Sequence, residues 1–301
     1  MKTKLSFTVT SAIALLLSAC GMAVVPGSGK IISETRDVSE YSQVVFSAPG
    51  ELTIVQNGKE GLVIEADDNF MQYIKTSMRG DALYVYVEPD IIKLYPSKPI
   101  QYTLDVDTLT HVTLNGSGDI RAGGLIASNL DFDLNGSGDI LIGAVTSKST
   151  TIDLDGSGSY RFNGLMTDRF SAAVDGSGDV FIKEVIAKTA DLELDGSGSL
   201  TVKDIIAETV NMKVDGSGDS ALSGEVRHQT IAIHGSGSYD ARNLQSRETS
   251  IKVVGSGDSK IWATEELGIT ITGSGDIMYR GEPKVTKTVT GSGDIIRSAN
   301  Q

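Results

Sequence analysis

One cysteine, one tryptophan and three histidines are all that the chain carries of these residue types. Cys20 stands alone, so no internal disulfide can form. His111, His228 and His234 lack the spacing of metal ligands. Trp262, at an outward or corner position, is expected to pack at an edge rather than to serve as a sugar platform. No pair of carboxylates, no Ser/His/Asp set and no Cys/His set stands apart from the background, so neither catalytic residues nor a cofactor are expected. Positive charge is also short. The formal net charge of -13 makes a phosphate backbone an unfavourable partner and excludes nucleic-acid binding as an expectation. The apolar run from Leu5 to Leu17 is broken by Ser and Thr and is too short to span a membrane.

That run does read as an export signal. Lys2 and Lys4 precede it, and Leu17-Ser18-Ala19-Cys20 follows it. The last four residues resemble the lipobox of bacterial lipoproteins. The resemblance implies removal of residues 1–19 and lipidation of the Cys20 thiol, which makes the membrane a partner. Gly21, rather than Asp, favours the outer membrane by analogy with the enteric sorting rule. Residues 20–30 then read as a small-residue tether between lipid and fold, including a Gly-Ser-Gly at Gly27 taken as linker.

Residues 31–110 are rich in strand signals. YSQVVF (Tyr41 to Phe46), ELTIVQ (Glu51 to Gln56), GLVIEA (Gly61 to Ala66) and ALYVYV (Ala82 to Val87) are short β-branched and aromatic runs. Pro49-Gly50, Asn57-Gly58 and Gly80-Asp81 break them. Asp68 to Lys75 is the one expected short helix, with Asp67 or Asp68 as N-cap. Its Phe70, Ile74 and Met71 would cover one end of a sheet. Tyr84 and Tyr86 share a face and could stack on a sugar; packing on a neighbouring strand is the plainer expectation.

Residues 111–298 are organised by a tripeptide. Gly-Ser-Gly begins at Gly116, Gly136, Gly156, Gly176, Gly196, Gly216, Gly235, Gly255, Gly273 and Gly291, at spacings of 18 to 20 residues. A period of this kind signals stacked repeats. Two and four residues before each tripeptide the chain is mostly apolar, as in Phe132 and Leu134 or Leu192 and Leu194, with polar residues between. The pattern restarts after it, as in Ile140 and Ile142 or Tyr160 and Phe162, and a third apolar position follows near the ninth residue. This alternation gives strand, corner, strand and looser corner in each unit. Twenty residues are too few for a strand plus a packed helix, so the expected fold is an all-β solenoid whose rungs stack about 4.8 Å apart. Ten rungs are expected in this region, with residues 31–110 as their strand-rich continuation. At the corners the first glycines and their seconds (Gly118, Gly138, Gly158, Gly178, Gly198, Gly218, Gly237, Gly257, Gly275 and Gly293) would let backbones bend and approach at every level. The serine would satisfy turn amides. A phosphate loop is excluded, because each tripeptide opens a strand rather than a helix. At the far end Lys284, Lys287 and Arg297 replace or flank inner apolar positions, which discourages end-to-end pairing.

The flanks carry the most chemistry. Asp155, Asp175, Asp195 and Asp215 precede tripeptides, and Asp179 and Asp219 follow them. From Ser159 to Asp258 the following column alternates Ser and Asp. Carboxylates stacked about 5 Å apart would repel by roughly 1 kcal/mol per pair even in water, and interleaved serine relieves this. These six aspartates are Ca²⁺ candidates; the plainer expectation is that they accept turn amides.

The lipobox leader, Ser33-Glu34-Thr35-Arg36-Asp37-Val38, Ala48-Pro49-Gly50-Glu51-Leu52 and the serial Asn/Asp-Gly-Ser-Gly-Asp/Ser corners resemble the DUF2807 family, putative auto-transporter adhesins with a head GIN domain. The resemblance spans about residues 30 to 298. It implies a right-handed, pectin-lyase-like β-solenoid without catalytic residues and a role in surface adhesion. The leading expectation is therefore a non-enzymatic cell-envelope lipoprotein whose long sheet face binds a surface glycan or an envelope protein. The alternatives are a polysaccharide-active enzyme on the same scaffold and a structural or stress-related periplasmic protein.

Overall fold

The computed structural model describes residues 23–90 and 92–298. The proposed signal and Cys20 lie outside the described residues.

The fold is an all-β solenoid of stacked parallel coils. Asn129–Gly136 pairs in parallel with Ser149–Gly156, and Asp139–Thr146 with Ser159–Met166, each at an offset of twenty residues. The same register runs on through Arg169–Gly176 and Val185–Gly196. From Ser199–Gly216 onward the separate strands of a coil merge into long, bent ones. The apolar positions two and four before each corner point inward. Val112, Phe132, Ile152, Ala172, Leu192 and Met212 form one buried column through adjacent rungs. Phe132, Tyr160 and Phe162 thicken the core, with the Phe132 and Phe162 rings 5.3 Å apart and edge-on. A fully buried side chain of this size contributes about 1.5–3 kcal/mol.

The coils extend into residues 31–110. Gln43–Ser47 and Glu51–Gln56 pair in parallel with His111–Gly116 and Asp119–Ile126. Pro49-Gly50 is thus the corner of a preceding rung, with Gly50 at φ +109°. Ala82–Val87 and Gln101–Val106 make one more coil beyond it. There the chain doubles back. Ile74–Arg79 runs antiparallel to Ala82–Val87, Gly61–Asp67 to Gln101–Val106, and Ile31–Arg36 to Gly61–Asp67. These strands close the first end of the stack.

Two expectations need correction here. The helix over Asp68 to Lys75 is only a 3-10 turn at Asp68–Phe70, and the chain is already a strand at Ile74. Helical geometry loses because Ile74–Arg79 must lie extended to pair with Ala82–Val87 across the Gly80-Asp81 turn. Asp67 makes no cap bond. Phe70, Met71 and Ile74 are nevertheless buried, as their apolar character demands. The tether is likewise shorter than expected. Ala23–Pro26 pairs in parallel with Ile92–Tyr95, and the Gly27 amide donates to the Tyr95 carbonyl at 2.9 Å. The Gly-Ser-Gly at Gly27 is no linker. It folds over the buried Asp67 carboxylate, which accepts from the Gly29 amide (2.8 Å), the Ser97 amide (2.9 Å) and the Ser97 hydroxyl (2.6 Å).

Tyr84 and Tyr86 are half-buried between neighbouring strands, and the Arg79 guanidinium lies 4.4 Å from the centre of the Tyr84 ring.

Candidate functional site

The corners divide their work between two glycines. The first is left-handed throughout, for example Gly156 at φ +131° and Gly176 at φ +120°. The second has no such φ, but a Cβ there would meet the rung before it: at Gly178 it would stand 2.5 Å from the Gly158 oxygen and from a Leu154 methyl. The carbonyl of each first glycine is gripped by the next rung. Ser137 and Gly138 both donate their amides to Gly116, at 2.9 and 3.1 Å. From Ser157 to Ser292 every corner serine amide repeats that bond. The serine contributes its backbone here, where its side chain was expected to act.

The flanking acids form ladders. Asp139 accepts the Ser159 hydroxyl at 2.6 Å, Asp179 that of Ser199 at 2.5 Å and Asp219 that of Ser238 at 2.5 Å. The alternation of Asp and Ser is therefore a chain of neutral donors set on charged acceptors, which removes like-charge contacts and satisfies the carboxylates. Near the end, where aspartates follow one another, the acceptor takes an amide instead: Asp276 donates its N–H to Asp258 and Asp294 to Asp276, at 2.9 and 2.8 Å. Asp155, Asp175 and Asp195 stack in register in the other column, followed by Asp215. Lys213 donates to Asp215 at 2.8 Å, which holds that carboxyl below its usual range, and His234 lies 2.9 Å from its other oxygen. Among the described residues no three His, Cys, Asp or Glu side chains converge as a metal site.

The remaining histidines sit apart. His111 contacts Asp133 at 2.7 Å on the first rungs, beside Asp153, whose carboxyl is raised by burial and by Asp133 and Asp131. His228 contacts Glu248 at 3.1 Å near the far end. Trp262 is roofed by Arg280, whose guanidinium lies 3.7 Å from the ring centre. Packing at an edge, rather than an open platform, is its role.

A shallow groove runs along the face that precedes the corners. Five residues before each corner the outward side chains run Ser171, Asp191, Asn211, Thr230, Ser250, Gly268 and Thr286, all paired in register. Two depressions of about 340 Å³ each meet at Thr230. The first is walled by Glu193 and Lys213, which are bonded to each other at 2.5 Å. The second is walled by His228, Glu248, Glu266 and Lys284. Seven rungs make the groove about 29 Å long. The outward column is polar apart from Gly268, the walls carry both charges, and Ala172, Leu192, Met212 and Ala232 also line the first depression, so the groove can offer an extended chain both hydrogen bonds and apolar contact. Sequence reading passed over this column. The available signal was the run of small residues at an outward position, where long charged side chains are equally at home.

Solved structures share the fold. A protein described as a putative adhesin from Parabacteroides distasonis ATCC 8503 aligns with a TM-score of 0.60 at 18% identity, over 91% of this chain and 100% of its own. A putative lipid binding protein from the same strain aligns at 0.53 and 22%, over 92% and 100%. A putative adhesin from Parabacteroides merdae ATCC 43184 aligns at 0.53 and 19%, over 92% and 100%. No curated protein matches the chain. The family described as putative auto-transporter adhesin, head GIN domain, matches twice, over residues 40–204 and 176–283, and the overlap mirrors the internal repeat. The two matches together span residues 40–283, from the strand Gln43–Ser47 through nine of the ten Gly-Ser-Gly corners, and this chain belongs to the DUF2807 family.

Proposed function

We propose that the protein is a non-enzymatic cell-envelope lipoprotein, anchored through Cys20 to the outer membrane, that binds an extended surface glycan along the groove from Ser171 to Thr286. The observation that carries this reading is the groove itself: a shallow track of polar and apolar contacts repeated at strand spacing. Strand spacing of about 4.8 Å is close to the length of one sugar ring, so successive rungs can offer equivalent contacts to successive residues of a polymer. The family description as an adhesin supports a surface role.

A glycan array probed with the full chain, alongside its Thr230→Trp variant, tests the reading. The wild type is expected to retain at least one class of linear polysaccharide. The variant, which fills the groove where the two depressions meet, is expected to lose it with an unchanged melting temperature. Equal retention by both would place binding elsewhere, and an array without any hit would reject a glycan ligand. Protease shaving of intact cells tests display: full protection would reject the adhesin role.

A further inference from the structure

The face on the other side of the looser corner carries a stripe, apolar but for Thr146, that nothing among the described residues covers. Ile126, Thr146, Met166, Ile186 and Ile206 stack in register and point outward. Ile126 is 71% exposed, Met166 53%, Ile206 54% and Ile186 37%. At about 4.8 Å per rung the stripe is about 19 Å long. Isolated exposed apolar side chains need no explanation, but three in successive rungs, Met166, Ile186 and Ile206, with Ile126 two rungs before them, mark a contact surface.

Beside the stripe, two residues further along each rung, runs a ladder of alternating sign: Lys148, Asp168, Lys188 and Glu208. Lys188 bonds Asp168 at 2.8 Å, the Arg169 amide donates to the Lys148 carbonyl at 3.1 Å, and the pairs Ala187–Ala207 and Thr189–Thr209 flank Lys188 and Glu208. Such a ladder is complementary to its own reverse. When two copies meet face to face about a two-fold axis lying along the strands, the order of rungs inverts while position along each strand is kept. Centred between Asp168 and Lys188, that axis sets Lys148 against the partner's Glu208 and Asp168 against the partner's Lys188. In the same register Met166 meets the partner's Ile186, and Thr146 the partner's Ile206. Shifting the axis by half a rung, onto Lys188, would oppose Asp168 to the partner's Glu208 and is excluded by like charge. On the far side of the stripe the acids Glu184 and Asp204 would face the partner's Gly164 and Ala144, so no repulsion arises there.

We propose that this face is an isologous dimer interface between two copies of this chain, packed with inverted rung order. Met166, Ile186 and Ile206 supply the buried apolar centre, Ile126 lies at its rim against the partner's Glu225, and the ladder sets the register. The patch is narrow, which places the dimer in the weak, concentration-dependent class.

Sedimentation equilibrium on the full chain, carrying Cys20→Ser to keep it free of lipid, should show mass rising from monomer toward dimer with concentration. K148E and E208K should each weaken association about tenfold or more, because each sets two like-charge contacts into the symmetric dimer. The double variant K148E/E208K should restore it. Within one chain the two positions are three rungs apart, about 14 Å, beyond the roughly 8 Å screening length at physiological salt. Restoration therefore reports contact between chains. In intact cells, K148C/E208C should give a disulfide-linked dimer that neither single cysteine variant gives. A concentration-independent monomer overturns the proposal, as does a double variant no better than the singles. Monomers that bind neutral phosphatidylcholine vesicles through the stripe, with Ile186→Lys abolishing the binding, would also overturn it in favour of a lipid-facing surface.

Discussion

The two ends of the stack are built on opposite plans. At the first end three antiparallel strands, the 3-10 turn and residues 23–30 fold over the last coil, and Phe70, Ile74, Leu62 and Ile64 are wholly buried beneath them. At the other end Lys284–Gly291 and Ile295–Arg297 form a final rung with nothing beyond it among the described residues, and almost every residue in it is exposed. The rung keeps the corner but not the core: Lys287 stands where Ile269 stood one rung earlier, and Arg297 follows Tyr279. A repeat buries apolar surface only between neighbours, so a stack has to end either in irregular sequence that covers the last layer or in a layer that tolerates water. This protein uses both, and charge on the open edge also resists pairing with another strand.

The largest contrast should come from one glycine substitution made in the middle and at the end. Gly176→Ala combines an unfavourable φ of +120° with a Cβ only 2.6 Å from the Gly156 oxygen, in a rung held on both sides. Strain and overpacking together should cost more than about 3 kcal/mol. Gly291→Ala meets the same kind of obstacle at φ +132°, against the Gly273 oxygen, but its rung is free to move away. Its cost should be less than half as large. Urea unfolding of both variants measures the difference, and equal losses would mean that the open rung is as rigid as the middle.

Next in size, Phe70→Ala in the first-end cover should cost about 3–5 kcal/mol, as for other large core side chains. Val289→Ala, at 42% exposure in the last rung, should fall within about 0.5 kcal/mol. Hydrogen exchange should follow the same order, fastest in residues 284–297 and slow beneath Phe70. A protected last rung would show that something in solution covers it.

This contrast also explains what could be read in advance. The coil was legible because Phe132, Leu134, Ile140 and Ile142 repeat their pattern in rung after rung, and two glycines recur wherever two backbones must nearly touch. The first-end cover was not, because a cover interrupts the repeat and each of its parts occurs once. DNFMQYIK carries helical spacing on its own; only the partner strand Ala82–Val87 makes it extended. Gly27-Ser28-Gly29 looked like a loose copy of the corner because the Asp67 carboxylate that organises it is distant in sequence. The groove and the apolar stripe were hidden for another reason. Their side chains face outward, where the fold sets few demands and no period forces a residue type.

Asp67 gives a pH test of the cover. Burial raises its carboxyl, but the hydrogen bonds from Ser97 and Gly29 outweigh that and leave it below the ordinary value. A depressed carboxyl stabilises the fold above the unfolded value of about 4 and loses that contribution as pH falls through the folded one. Residues 23–30 should therefore become accessible to an acid-active protease below about pH 4, before the rungs unfold. Asp67→Asn should expose the same segment at neutral pH. A segment that stays protected in that variant would show that its pairing with Ile92–Tyr95 suffices alone.

The smallest effect separates the two versions of the acid ladder. In the middle rungs each charged acceptor is followed by a serine, and Ser199→Ala should remove one exposed hydroxyl bond worth about 0.5–1 kcal/mol. Ser199→Asp is the sharper change. It places a carboxylate between Asp179 and Asp219, each one rung away, so its cost should be greater than that of the alanine and should shrink as salt is added. The last rungs already carry Asp258, Asp276 and Asp294 in succession, and there the carboxylates of Asp258 and Asp276 accept the amides of Asp276 and Asp294, each one rung further on. Asp276→Ser should consequently relieve repulsion at low salt and stabilise slightly, the reverse of the change at Ser199. If both substitutions destabilise alike at every salt concentration, the alternation is a matter of hydrogen-bond geometry alone and the repulsion between stacked acids is negligible.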